Sequence, residues 1–205
     1  HPLVDAVHTE LSKSAAREKF SLDKDIRVIG LFPGSRRSEI SVLLPLMLEA
    51  AERIDKRHFP IQIVIPQAPG IDESYLQQYL AGSRLNISVI KDDFYEVIQA
   101  CDAVVAASGT VTLEIALLGV PHFITYKVSP WSYRILKRLV KIPYVGLCNI
   151  VTKQPAIKEL LQDDVTPVRL EQQLMDLLTH PQRQQHAENI RQQVKQALGP
   201  TGGAE

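Results

Sequence analysis

Two short corners in this sequence carry residue types suited to holding an anion. The first, Pro33-Gly34-Ser35-Arg36-Arg37, follows the apolar run VIGLF. Glycine there lets the backbone turn tightly and come close to a ligand, and the helix that follows offers unpaired N–H groups and the positive end of its dipole. A phosphate suits such a place, and Arg36 could add a forked, charge-assisted contact to its oxygens. An ordinary strand-to-helix turn with a solvated arginine fits the same five residues. The corner contains neither GxxxxGK[ST] nor GxGxxG, so it matches neither the triphosphate loop nor the dinucleotide fingerprint.

The second corner lies in AASGTVTLE. Ser108-Gly109-Thr110 is again small and permissive, and Ser108 or Thr110 is placed to cap the next helix. Glu114 follows about one turn later. A carboxylate only accepts hydrogen bonds, and a vicinal diol such as ribose offers two donors at matching separation. An acid that simply satisfies the helix dipole is the alternative. Two such corners at one edge of a sheet could together hold the phosphates and ribose of a nucleotide.

A third feature is the run YKVSPWSYRILKRLVKIPY, in which Lys127, Arg134, Lys137, Arg138 and Lys141 stand without an acid. On a helix, Trp131, Ile135 and Leu139 share one face and the basic residues spread around the other, with Tyr133 adding a second aromatic. That pattern suits an anionic membrane surface or an anionic lipid, and equally a packed helix with a basic outer face. Asn149, in the short run VGLCNI, could read a base edge or a phosphate or could form a turn. The six histidines show no HxxH or HxxxH pairing, so no metal is expected; nor is a cofactor expected. Cys101 and Cys148 sit in apolar company without CxxC spacing and read as buried thiols.

The elements that must position these residues follow from periodicity. Brief, nearly all-apolar runs at 26–32, 61–66, 86–90, 103–107 and 123–126, with a shorter one near 144–148, read as strands covered on both faces. Helical patterns at 39–56, 73–81, 95–100, 111–118 and 131–140 fit between them, and 9–19 reads as a leading helix. Beyond about residue 155 the strand signal fades, and Leu160, Leu161, Leu170, Leu174, Leu177 and Leu178 take helical spacing. This is the alternation of a Rossmann-like, three-layer α/β/α fold with a mostly parallel sheet. Ligands in such sheets bind outside the carboxyl ends of the strands, where both corners fall.

The chain has 205 residues, 45% of them apolar, enough for one core. Lysine plus arginine and aspartate plus glutamate both total 23, so no global field favours nucleic acid. The first 20 residues lack the order of a signal peptide, and the expected compartment is the cytoplasm. His1 at the start and the tail LGPTGGAE lead us to expect a piece of a longer protein.

Taken in order, LFPGSRRSEI, ASGTVTLEIALLGVP, YKVSPWSYRILKRLVKIPYVGLCNI and KELLQDD resemble motifs in the C-terminal half of the lipid-A-disaccharide synthases. The resemblance spans residues 1 to about 165, with HPLVD similar to that family's link into this half. It implies one UDP-sugar donor-binding domain over 1–205, the C-terminal half of a GT-B glycosyltransferase, with the N-terminal acceptor domain absent. The implied reaction moves 2,3-diacylglucosamine from UDP-2,3-diacylglucosamine to 2,3-diacylglucosamine 1-phosphate, giving the lipid A disaccharide and UDP.

By the same resemblance, Arg36 would contact the diphosphate, Glu114 the ribose and Asn149 the nucleotide. Gly34, Ser35, Ser108, Gly109 and Thr110 would line the pocket, and Gln162 matches a family position without a derivable role. Trp131, Tyr133, Arg134, Lys137, Arg138 and Lys141 would meet lipid at the cytoplasmic face of the inner membrane. A general base would come from the absent domain, so the isolated chain is expected to bind UDP weakly and not to turn over. A homodimer of the full-length protein is a further expectation.

Two other readings stand beside this one. Another UDP-sugar enzyme of the same architecture, a muramyl-peptide N-acetylglucosamine transferase or a 2-epimerase, would share the glycine corner and the glutamate. A non-catalytic nucleotide-binding module would need no diphosphate arginine.

Overall fold

The computed structural model describes residues 2–139 and 143–199. Two short helices, α1 (Pro2–Ala6) and α2 (Lys13–Lys19), precede β1 (Arg27–Phe32). The chain then alternates α3 (Arg37–Asp55), β2 (Ile61–Pro66), α4 (Glu73–Leu80), β3 (Ile87–Ile90), α5 (Phe94–Ala100), β4 (Ala103–Ala107), α6 (Val111–Leu117) and β5 (His122–Tyr126). After these come α7 (Pro130–Leu139), α8 (Leu147–Thr152), β6 (Glu159–Leu161), a 3-10 turn (Gln162–Asp164), α9 (Pro167–Thr179) and α10 (Arg183–Leu198).

The six strands form one sheet in the order β3-β2-β1-β4-β5-β6, every neighbouring pair parallel. Parallel strands need crossover helices, which cover both faces and leave no side of a central strand wet. Val28, Ile29 and Leu31 of β1 and Val104 and Val105 of β4 are accordingly fully buried. Each such aliphatic side chain contributes about 1.5–3 kcal/mol by leaving water. One core packs α3, α4 and α9 on one face of the sheet, and two smaller clusters join α2, α5, α6 and α10 to the other. This is the expected Rossmann-like α/β/α architecture.

The sixth strand differs from the expectation in position. The run near 144–148 is not a strand: Gly146 precedes α8, and the last strand is Glu159–Leu161, where only helical signal was expected. A three-residue edge strand is too short to show a period of two. A short apolar run such as Val145-Gly146-Leu147-Cys148, conversely, reads alike as helix or strand. The leading helix is also shorter than 9–19, because Ser12 takes the cap position and its hydroxyl accepts the Ala15 N–H at 3.2 Å.

Candidate nucleotide site at the strand-order switch

Strands β1 and β4 are neighbours, yet the chain leaves β1 toward β2 and leaves β4 toward β5. Their carboxyl ends therefore feed loops in opposite directions, which opens a crevice at that point of the sheet. The register pairs Phe32 with Ala106, setting residues 33–36 beside residues 108–110. A cavity of about 640 Å³ lies there. Gly34, Ser35, Arg36, Ser108, Gly109 and Thr110 all line it, with Gln67, Lys91 and Phe94 at its flanks. A smaller cavity of about 310 Å³, beside Pro121, His122 and Lys158 at the amino ends of β5 and β6, receives none of the candidate residues.

At the first corner Gly34 has φ of 105°, and a Cβ there would fall 2.4 Å from Glu39 Oε2, so only glycine fits. That Glu39 oxygen accepts the N–H groups of Ser35, at 3.1 Å, and of Arg36, at 3.2 Å. Unpaired N–H groups are expected here from the sequence, but an acid from within the chain already engages two of them. Glu39 sits three residues after the cap position Arg36, which is the spacing of a capping box and its signal in the sequence. The two arginines also part company. Arg37 lies over the Tyr75 ring at 4.8 Å and faces Asp72 at 3.8 Å, whereas the Arg36 guanidinium has no partner among the described residues.

At the second corner Thr110 stands at the cap position of α6 as expected, but its side chain makes no capping bond. Ser108 donates its hydroxyl to the Val145 carbonyl at 3.0 Å, and Thr112 donates back to the Gly109 carbonyl at 2.8 Å. Glu114 stands one turn into α6 and is not among the residues lining the cavity. Tyr95, on α5, donates its hydroxyl to Glu114 Oε1 at 3.2 Å. Burial raises the Glu114 pKa, and the tyrosine bond opposes that shift. Tyr95 was missed from the sequence, where nothing links positions 95 and 114.

Asn149 and Gln162 are placed elsewhere. Asn149 is buried, donating to the Ile157 carbonyl at 2.7 Å and to Glu159 Oε1 at 2.8 Å while accepting the Ile157 N–H at 2.8 Å. Its amide is fully used inside the fold, so the expected direct contact with a nucleotide is not what this geometry offers. Gln162 accepts the Val128 N–H at 2.8 Å and donates to the Val128 carbonyl at 2.9 Å. That two-point bond, with Lys127 Nζ on the Gln162 carbonyl at 3.1 Å, pins the start of the loop leading into α7.

Helix α7 leaves this same carboxyl edge of the sheet. Trp131 is 75% exposed and Ile135 50%, and Leu136, Arg134, Lys137 and Arg138 are exposed beside them, with Tyr133 half-buried. Lys141 and Val140 lie outside the described residues. Among the described residues no helix is long and apolar enough to cross a membrane.

The family model described as Lipid-A-disaccharide synthetase matches residues 1–202. The chain belongs to the lipid-A-disaccharide synthase family. The lipid-A-disaccharide synthase of Geobacter sulfurreducens is 42% identical over 203 residues, covering 99% of this chain and 53% of the relative. That of Nitrosococcus oceani is 42% identical over 199 residues, covering 97% and 51%. The chain thus spans about half the length of the curated synthases it matches.

Among solved structures, an Anabaena protein, Alr3699/HepE, determined in complex with UDP and glucose, aligns over 95% of this chain and 50% of its own, with a TM-score of 0.61 and 15% identity. MurG of Acinetobacter baumannii aligns over 93% of this chain and 50% of its own, with a TM-score of 0.55 and 18% identity. These likenesses show the fold, an α/β domain that accounts for about half of each of those chains.

Proposed function

We propose that this chain is the donor-binding half of a lipid-A-disaccharide synthase, and that the cleft between β1 and β4 takes the uridine diphosphate of UDP-2,3-diacylglucosamine. The observation that carries the reading is the meeting of two glycine corners at the strand-order switch with one unpartnered guanidinium, Arg36, on their rim. A diphosphate leaving an anomeric carbon gathers negative charge, and fixed dipoles plus an arginine stabilise that charge as it develops. Glu114 would accept the ribose hydroxyls, held by Tyr95. Asn149 contributes indirectly, through the bonds it makes within the fold.

The acceptor, 2,3-diacylglucosamine 1-phosphate, needs a general base at its hydroxyl. No residue of this cleft is assigned that role, and it belongs to residues beyond this chain. The lipid nature of both substrates gives α7 a purpose: its exposed Trp131, Ile135 and Leu136, ringed by Arg134, Lys137 and Arg138, would rest on an anionic membrane surface at the cytoplasmic face. Tyr133 and Lys141 would join that contact.

Calorimetry of UDP against this chain and against Arg36→Ala tests the assignment. Binding should be weak in the wild-type chain and at least tenfold weaker in the variant, the loss being that of a charge-assisted contact, roughly 1.5–3 kcal/mol. Equal affinity in the two proteins would overturn the placement of the diphosphate.

A further inference from the structure

Glu159, the first residue of the edge strand β6, holds the turn that meets the second corner. Three donors converge on its carboxylate. Oε2 accepts the Val145 N–H at 3.1 Å, and Oε1 accepts the Gly146 N–H at 2.9 Å and the Asn149 side-chain amide at 2.8 Å. No cation pairs with it among the described residues, so these N–H groups are what hold its charge.

Gly146 is required where it stands, since a Cβ would lie 2.3 Å from Ile124 Cδ1 and 3.1 Å from Glu159 Oε1. Ile124 and Glu159 are register partners on β5 and β6, so the turn is set down on the strand pair itself. From the same turn, the Val145 carbonyl reaches across to accept the Ser108 hydroxyl at 3.0 Å. Ser108 is also fixed through its backbone, whose N–H donates to the Thr125 carbonyl at 2.9 Å.

We infer that Glu159 is a positioning residue for the cleft: it locks the Val145-Gly146 turn, and through the Val145 carbonyl it fixes the Ser108-Gly109-Thr110 corner. The inference rests on the reading of that cleft as the nucleotide site. A carboxylate that served only to start α8 would hold the same turn without any effect on Ser108. The bond from Ser108 to Val145 is what separates the two roles.

The test uses Glu159→Gln, which keeps the side-chain size and one acceptor oxygen, together with Ser108→Ala and the double variant. In the ligand-free proteins, two-dimensional amide spectra should show Glu159→Gln moving the signals of Ser108, Gly109 and Thr110 as well as those of 145–149. Shifts confined to 145–149 would overturn the inference, whether or not any nucleotide binds. In calorimetry, Glu159→Gln and Ser108→Ala should each weaken UDP about fivefold, the scale of the one neutral hydrogen bond that both remove. The double variant should be no weaker than either single one, because both act through one contact.

Effects that multiply in the double variant would overturn the inference as well. Should the wild-type chain bind no UDP, the nucleotide reading falls alone, and the amide spectra still decide whether Glu159 governs the corner. A thermal melt of Glu159→Gln checks that the fold is intact, and Glu159→Asp should restore part of the Ser108 signal position.

Discussion

Glu39 Oε2 lies 3.1 Å from the Ser35 backbone nitrogen, in the very turn that a diphosphate would fill. The carboxylate takes N–H groups at the start of a helix that favours negative charge, as a phosphate oxygen of the proposed ligand would. A diphosphate entering the turn must displace it or lie beside it, and either event costs energy. Glu39→Gln should therefore bind UDP more tightly, about threefold or more at low ionic strength, with the gain shrinking as salt is added. Calorimetry at two salt concentrations checks this, and weaker binding by the variant would mean that the carboxylate organises the turn for its ligand.

Under the proposed function Glu114, although it does not itself line the cavity, would give the cleft a pH dependence with a defined sign. Only the ionised carboxylate can accept both ribose hydroxyls, and burial raises its pKa while the Tyr95 bond pulls it down. As pH falls, UDP affinity should drop at a pH above that of an ordinary glutamate. Tyr95→Phe removes the opposing influence and should move the drop to still higher pH, and Glu114→Gln should abolish that inflection. Affinity profiles of the three proteins that superimpose would remove Glu114 from the site.

The parts of this site that were legible in the sequence are those set by local rules. Gly34 and Ser108-Gly109 interrupt apolar runs, and a glycine corner after a buried strand announces itself without knowledge of the fold. The convergence of the two corners follows from the order of the sheet. Glu159, Tyr95 and the internal role of Asn149 were not legible, because they depend on contacts such as Ile124 beside Glu159 that close only when β5 and β6 pair. The edge strand itself, three residues long, left no periodic trace, and Leu160 within it was counted toward a helix. Gln162 stood out by resemblance alone until its bonds to Val128 gave it a task.

Asp102 ties α2 to the sheet at the edge away from the cleft. Its side chain accepts from Arg17 at 2.6 Å, from the Val28 N–H at 2.9 Å and from Lys13 at 3.3 Å. Burial opposes its ionisation, but the Val28 bond and the charges of Lys13 and Arg17 outweigh it and hold the pKa below the usual aspartate value. The stabilisation is therefore present above the unfolded-state pKa, about 3.9, and is lost as pH falls through the lower folded-state value. Asp102→Asn should cost about 3–5 kcal/mol at neutral pH by leaving Arg17 buried and unpaired. Its stability should then change less than that of the wild type below about pH 4. Urea titrations at pH 7 and pH 3 make the comparison, and a neutral-pH loss under about 1 kcal/mol would show that the pair is dispensable.

Trp131 is the one tryptophan of the chain and is 75% exposed on α7, so its fluorescence reports directly on what that helix touches. Among the described residues, five large apolar side chains are exposed, and Trp131, Ile135 and Leu136 are three of them, gathered on ten residues of helix. With Arg134, Lys137 and Arg138 alongside, the expected partner is an anionic lipid surface, with the basic stems lying along the headgroups. Vesicles containing phosphatidylglycerol should shift the Trp131 emission to shorter wavelength, and phosphatidylcholine vesicles should not. Each basic residue near such a surface is worth about 1 kcal/mol, so Arg134→Ala with Lys137→Ala should weaken binding roughly thirtyfold and flatten its salt dependence. An emission unchanged by anionic vesicles would remove the membrane contact, and a shift equal for both lipids would show insertion that does not depend on the basic residues.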